Sequence, residues 1–209
     1  MFHQQFGRLP MQLGGHFAGL IYNEGILLMK VLGIDPGFAA TGLAELIIAN
    51  ARVSGVACHL LTYGSALGNK DTRMRCYGQD LAQQLGKAPP DLVAIETTYA
   101  RATSPAASQA IFDLRELIGY LKATVDAFGL PQVEVTHTQA RAALHIPTKG
   151  LARDRASELA RATVYERYGI GDDGGQLARC RDHLAWAIGI ALAGHKKWNR
   201  EQQKLISEG

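Results

Sequence analysis

Apolar positions first form a regular pattern at residue 29, and the segments that follow have the lengths of strands. Short apolar runs, with partial alternation in the third, predict three strands over residues 30–35, 43–49 and 52–63. Pro36-Gly37 ends the first strand, as a turn signal does after a buried strand. Consecutive strands joined by short turns predict an antiparallel meander.

Helices then alternate with strands. Apolar side chains at spacings of three and four predict amphipathic helices over residues 69–87 and 105–128, and short apolar runs predict buried strands over residues 92–96 and 133–136. Three further helices are predicted over residues 139–144, 151–168 and 177–193. A meander followed by crossover connections predicts an α/β fold with a mixed five-stranded sheet flanked by helices.

Both ends of the chain lack this pattern. Residues 1–28 carry only Arg8 and Glu24 as charges and have no sustained hydrophobic period, which predicts a poorly ordered N-terminal extension. The polar residues after Gly194 predict a C-terminal tail over residues 196–209. Residues 29–195 then form one domain.

Composition narrows the protein class. With 209 residues, 47% hydrophobic and 20% charged, the chain has the composition of an ordinary globular protein rather than of a disordered one. No apolar run reaches the roughly 18 residues of a membrane-spanning helix. Three widely spaced cysteines favour a reducing cytoplasm over a disulfide framework or zinc knuckle. The net charge of +3 is compatible with a polyanionic partner but does not require one.

Three carboxylates fall where the predicted fold would bring them together. Asp35 ends the first predicted strand, Glu96 ends the strand after the first helix, and Asp182 lies near the start of the last helix. Each alone is readily explained as a turn residue or as a helix-dipole partner, whereas their joint placement favours a site. Grouped hard oxygen ligands suit Mg²⁺ or Mn²⁺. Two such ions would support phosphodiester hydrolysis by water.

The motifs around these acids carry a family resemblance. Gly33-Ile34-Asp35-Pro36-Gly37 followed by Thr41-Gly42, then Ala94-Ile95-Glu96, then the helical Asp182-His183-Leu184-Ala185-Trp186-Ala187-Ile188, resemble the RuvC-type Holliday-junction resolvases. These are metal-dependent endonucleases of the ribonuclease H-like superfamily. The resemblance spans residues 29 to about 195 and implies a ribonuclease H-like fold. It also implies that the three acids bind two Mg²⁺ ions, with Mn²⁺ as a substitute, and that the protein forms a homodimer through the helix over residues 105–128.

Further positions match the substrate contacts of that family. Tyr99 stands where the family places an aromatic residue that stacks on a base near the junction centre, although a tyrosine at a sheet edge explains it equally well. Arg141, Lys149 and Arg153 lie in a segment that resembles the family's basic loop and helix start, which contacts the phosphate at the cleavage site. Interleaved acids such as Asp154 leave a solvated helical face as the alternative.

One position departs from the family pattern. The family usually carries an acid or a histidine three residues before the helical aspartate, and Arg179 stands there in this chain. Helical spacing puts Arg179 on the same side as Asp182. Its guanidinium would either occupy the vacant ligand position and repel a cation, or contact the substrate phosphate; we favour the phosphate role.

The histidines fit no catalytic motif. His137, His145 and His183 are accompanied by no Ser or Cys nucleophile motif, and their mutual spacing matches no zinc pattern. We interpret them as structural or phosphate-facing.

The sequence therefore predicts a Mg²⁺-dependent endonuclease that cuts four-way junctions or other branched DNA, as a homodimer in the cytoplasm of a bacterial or phage-infected cell. Two alternatives stay open. A RuvX/YqgF-like RNA-processing nuclease shares the opening motif, but its usual Asp-Glu-Arg-x-Thr segment is absent. A junction-binding protein that has lost catalysis would explain Arg179.

Overall fold

The structure, a computed structural model, describes residues 21–23, 26–64, 67–97, 104–169 and 181–208. Its strands are β1 (Ile21–Asn23), β2 (Ile26–Asp35), β3 (Thr41–Ala49), β4 (Arg52–Leu61), β5 (Leu92–Thr97) and β6 (Gln132–Thr136). Its helices are α1 (Lys70–Lys87), α2 (Pro105–Ala127), α3 (His137–Ala143), α4 (Arg153–Tyr168) and α5 (Arg181–Glu208).

The strands form one mixed sheet in the order β4-β3-β2-β5-β6. The meander β2-β3-β4 is antiparallel, while β5 pairs parallel to β2 and β6 pairs parallel to β5. The predicted mixed sheet flanked by helices is confirmed, and the short β1 adds a strand beside the start of β2. Because β2 and β5 are parallel neighbours, with Ile34 opposite Ile95, their carboxyl ends meet at one edge of the sheet.

Regular structure extends beyond the predicted domain at both ends. Strand β1 and the first residues of β2 lie within the segment predicted as an extension. The sequence did not predict β1, because a three-residue strand is too short to show an alternating pattern. Helix α5 continues to Glu208, through most of the predicted polar tail. Gly194 does not end this helix: a Cβ on it would lie 2.3 Å from the Ala94 Cβ, so the glycine marks a close approach to the sheet. No helix in the described part of the chain is long and apolar enough to cross a membrane.

Two apolar layers cover the two faces of the sheet. Side chains alternate along β2, so that Val31 packs with the layer containing α3, α4 and α5, while Leu32 and Ile34 pack with α1 and α2. The α1–α2 layer includes Tyr77 and Leu121, which are almost completely buried. The sheet is therefore covered on both faces, as the near-continuous apolar runs of β2 and β5 indicate.

Helix α5 lies against the sheet at glycines. A Cβ on Gly33 of β2 would lie 2.1 Å from the Ala187 carbonyl oxygen and 2.7 Å from the Ala191 nitrogen. A Cβ on Gly42 of β3 would lie 2.2 Å from the His183 carbonyl oxygen. Real Cβ atoms do not approach backbone this closely, so these positions require glycine. Their consequence is that the first turn of α5 lies beside the carboxyl end of β2.

We expect Gly33→Ala to lower the free energy of unfolding by about 1–3 kcal/mol, because the methyl group forces α5 away from the sheet. Gly86→Ala is the matched control: Gly86 lies within α1, and an added Cβ would make only an ordinary contact there, 3.8 Å from the Phe128 ring. This control should gain roughly 0.5–1 kcal/mol, since alanine favours a helix interior over glycine. Urea denaturation of both variants measures the difference. Equal unfolding midpoints for Gly33→Ala and wild type would contradict the close-approach constraint.

Candidate active site

A cleft of about 790 Å³ opens at the carboxyl ends of β2 and β5. Helix α2 supplies one apolar wall, through Ile111, Leu114 and Ile118. The opposite side comes from α3, α4, α5 and the segment before α4, and most of its side chains are charged or can become so. The titratable and charged residues that line the cleft are Asp35, Glu96, His137, Arg141, Arg153, Asp154, Asp182 and His183.

Asp35 is the last residue of β2 and is only 6% exposed. Its Oδ2 lies 2.6 Å from the His183 Nδ1. Burial, together with the nearby negative charge of Glu96, raises the pKa of Asp35 to about 7, although the hydrogen bond with His183 acts in the opposite direction. Asp35 is therefore a carboxyl group that loses its proton near neutral pH.

Glu96 lies near the end of β5, beside Asp35. Its Oε1 is 3.4 Å from the Nδ1 of His137, the first residue of α3. Burial acts to raise the pKa of Glu96, but the hydrogen bonds with His137 and Asp35 outweigh burial and hold the pKa below its ordinary value. The two carboxyl groups thus have pKa values displaced in opposite directions, which is typical of an acidic pair that shares a site.

His183 lies in the first turn of α5, where Gly37 and Gly42 leave room for it. Burial acts to lower the pKa of His183, but its hydrogen bond with Asp35 and the charges of Asp35 and Asp182 raise the pKa above its ordinary value. The imidazole is therefore a cationic partner for Asp35 when it is protonated.

His137 is held by a second set of contacts. Its ring packs on the Trp186 indole, with 4.4 Å between ring centroids. The Trp186 Nε1–H donates to the Ser157 Oγ at 3.3 Å, which ties α5 to α4. Thr136 begins α3 with a capping box that includes Gln139, so the position of His137 follows directly from the end of β6.

Asp182 lies at the same cleft but has a different partner. Its Oδ1 accepts a hydrogen bond from the Arg161 Nη1 of α4, and about one third of each side chain is exposed. Among the described residues, no three His, Cys, Asp or Glu side chains gather into a group that could hold a metal ion. Asp35 and Glu96 are in contact as the sequence leads one to expect, whereas Asp182 is engaged by a guanidinium. The three-carboxylate metal site stays a prediction.

Of the residues predicted to contact phosphate, some line the cleft and others do not. Arg141 and Arg153 line the cleft, and Arg141 also donates to the Pro147 carbonyl oxygen. Lys149 is exposed in the segment between α3 and α4 and is not among the cleft residues. Tyr99 and Arg179 lie outside the described residues, so their predicted roles stay predictions.

Sequence reasoning missed how the carboxylates are held. His137 and His183 contact Glu96 and Asp35 directly, and Arg161 pairs with Asp182. Two of these had a usable signal: His183 follows Asp182 in the chain, and His137 follows the strand parallel to the one that carries Glu96. Arg161 had none, because its position depends on how α4 packs on α5.

The chain has relatives of known name, although no family model matches it. It is 30% identical over 117 residues to the crossover junction endodeoxyribonuclease RuvC of Delftia acidovorans, a match of 56% of this chain and 62% of the relative. It is 31% identical over 120 residues to the protein of the same name from Syntrophomonas wolfei, a match of 56% of this chain and 64% of the relative. The chain therefore matches somewhat less than two thirds of the length of these curated relatives.

Solved structures show the fold. Thermus thermophilus RuvC superimposes with a TM-score of 0.59 and 21% identity, covering 83% of this chain and 97% of that chain. The same protein in complex with a Holliday junction substrate gives a TM-score of 0.58 and 18% identity, covering 83% of this chain and 96% of that chain. The predicted α/β fold with a mixed sheet is the fold of these structures, and the predicted resemblance to RuvC-type resolvases is confirmed.

Asp35→Asn should stabilise the metal-free protein at pH 8 relative to wild type, and much less so at pH 4. The raised pKa means that Asp35 contributes stability when protonated, below its ordinary pKa of 3.8, and that this contribution is lost as the pH rises through about 7. Asparagine removes that loss. We expect the stability difference between variant and wild type to grow by on the order of 2 kcal/mol between pH 4 and pH 8.

Urea denaturation in the presence of a chelator, at several pH values, measures this difference. Asp126→Asn makes the same change at an exposed position near the end of α2 and is the matched control. A flat difference for Asp35→Asn would show that burial does not perturb this carboxyl group.

Proposed function

We propose that this protein is a divalent-metal-dependent endonuclease that resolves Holliday junctions or similar branched DNA by phosphodiester hydrolysis. The observation that carries the proposal is the pair of buried Asp35 and partly buried Glu96 at the ends of two parallel strands, in a cleft that Asp182 and two arginines also line. The names of the curated relatives support the substrate class. The reaction would take place in the cytoplasm of a bacterial or phage-infected cell.

The donor set suits Mg²⁺, with Mn²⁺ as a substitute. Mg²⁺ binds through one or two carboxylates and fills its other positions with water and substrate phosphate. Asp35 is buried beside a second carboxyl group and has a raised pKa, and a divalent cation stabilises such a group by favouring its ionised form. Asp35, Glu96 and Asp182 would hold two ions. When bound, such ions supply Lewis-acid activation of water and of the leaving oxygen.

The remaining cleft residues orient the acids and the substrate. His183 and His137 hold the carboxylates of Asp35 and Glu96 by hydrogen bonds, which limits the orientations of both. Arg141 and Arg153 carry positive charge on the same cleft, where a guanidinium fits the oxygens of a scissile phosphate. Exposed Lys149 would meet the DNA backbone outside the cleft.

Two roles rest on residues outside the described ranges. Tyr99 would stack on a base near the junction centre, with a stacking contribution of about 1–3 kcal/mol. Arg179 precedes α5 by two residues and would contact the substrate phosphate. The role of Tyr99 follows the family resemblance. The role of Arg179 rests instead on its charge and its helical spacing from Asp182, at a position where the family has an acid or a histidine.

We also propose a homodimer that forms through α2. Phe112 on this helix is 64% exposed, and Tyr120 is 39% exposed. Exposed aromatic residues on a helix that also forms one wall of the cleft fit a protein interface. Two-fold symmetry would suit a four-way junction, whose resolution needs paired cuts.

A second candidate function is junction binding without cleavage. The observation that favours it is the Arg161–Asp182 ion pair, because it leaves the described residues without a compact group of three metal ligands. Cleavage assays separate the two functions.

The purified protein should cut a synthetic four-way junction in Mg²⁺, leave a linear duplex of the same sequence intact, and cut nothing in a chelator. Glu96→Gln and Asp182→Asn should lower the cleavage rate by at least tenfold and change junction affinity by no more than a few-fold, because phosphate contacts supply most of the affinity. Glu166→Gln, exposed on α4, is the control and should cut at the wild-type rate. Ca²⁺ should support binding without cleavage.

The outcomes of this assay separate the candidates. Junction binding without cleavage in Mg²⁺ or Mn²⁺ would favour the binding protein. Cleavage of an RNA hairpin in preference to the junction would favour the RNA-processing alternative. Full activity of both acid variants would contradict the assignment of the site.

Phe112→Glu should convert the dimer to a monomer in sedimentation experiments, because a charge placed in an apolar interface is desolvated without a partner. Tyr165→Glu is the matched control, since Tyr165 is 57% exposed on α4, away from α2. The control should leave the dimer intact. A Phe112→Glu protein that sediments as wild type does would exclude this face of α2 as the interface.

A further inference from the structure

Helices α4 and α5 are joined by two polar contacts one helical turn apart. The Trp186 indole N–H donates to Ser157, and four residues away on each helix Arg161 donates to Asp182. Residues four apart share a helix face. Numbering rises along α4 as it falls along α5, so the helices are antiparallel and the two contacts lie side by side.

The packing of these helices fixes the position of Arg161. Ala156, Ser157, Ala160 and Val164 form the buried face of α4. Buried Ser157 and Trp186 fix the register between the helices, and Arg161 lies one turn beyond this contact. Asp182 therefore contacts the guanidinium of a residue whose backbone is held in place by the packing of α4 in the core, and not by a loop.

We propose that Arg161 is a counter-ion that competes with a divalent cation for Asp182, and so sets the cation concentration at which the cleft is filled. This inference rests on the metal-dependent function proposed above and deepens it, since it assigns a regulator to the same site. Arg161 is a positioning residue here: it acts through Asp182.

Charge and exposure support this competition. The guanidinium supplies one positive charge to Asp182 in the absence of a cation, so a cation that binds Asp182 has to replace an existing partner. The pair is about one third exposed, and ion pairs with this access to water are weak enough to exchange.

The test measures cation binding directly, by calorimetry and by the electron paramagnetic resonance of free Mn²⁺. Arg161→Gln should bind Mn²⁺ roughly three- to tenfold more tightly than wild type, because one competing positive charge is removed. Arg167→Gln is the matched control: it removes the same charge from an exposed position in the last turn of α4. Its Mn²⁺ affinity should stay within about twofold of wild type.

A double-variant cycle tests whether Arg161 acts through Asp182. In an Asp182→Asn background, Arg161→Gln should produce little further change in Mn²⁺ affinity. Equal tightening in both backgrounds would overturn the proposal, because Arg161 would then act as a general positive charge. Unchanged or weaker Mn²⁺ binding by Arg161→Gln would overturn it as well.

Two further measurements keep the result interpretable. Arg161→Lys retains the charge, folds with the same side-chain bulk, and should bind Mn²⁺ with wild-type affinity or up to about threefold more tightly, since an ammonium lacks the planar fork of arginine. Urea denaturation establishes that each variant is folded. Junction cleavage is measured separately. Tighter Mn²⁺ binding by Arg161→Gln without any cleavage would refute the proposed nuclease function and support the counter-ion role of Arg161. Cleavage with unchanged Mn²⁺ binding would support the nuclease function and refute the counter-ion role.

Discussion

The close approach of α5 to the sheet is the constraint on which the site depends. Backbone atoms of α5 lie where side chains on Gly33 and Gly42 would otherwise be. Because the helix is held this near, His183 reaches Asp35 at the end of β2, and Asp182 reaches the same cleft. A helix displaced outward by the width of one methyl group would draw His183 away from Asp35.

The cleft balances negative charge with partners of several kinds. Buried Asp35 and partly buried Glu96 lie close together, which raises the electrostatic free energy of the doubly ionised form. Each acid has a nitrogen partner: His183, His137 and, for Asp182, Arg161. These nitrogen partners stabilise the three acidic side chains in the absence of a ligand. The affinity of the site for cations therefore depends on the partners as much as on the carboxylates.

The sequence was sufficient where local pattern decides structure. Apolar runs located β2 and β5, and the parallel crossover then placed Asp35 and Glu96 at one edge. It was insufficient where packing decides: Gly194 has the signature of a helix end, yet it allows α5 to continue because the sheet lies against it. The Arg161–Asp182 contact depends on the register between two helices, which no local period encodes.

The long sequence separation between β2 and α5 also affects the order in which the domain folds during synthesis. Asp35 ends β2, and His183, on the helix that covers Gly33, lies 148 residues further along the chain. A contact of this sequence separation closes late, because the entropy of the intervening loop opposes it. Until α5 has been synthesised, Gly33 and Gly42 therefore lack the helix that covers them, and Asp35 lacks its His183 partner.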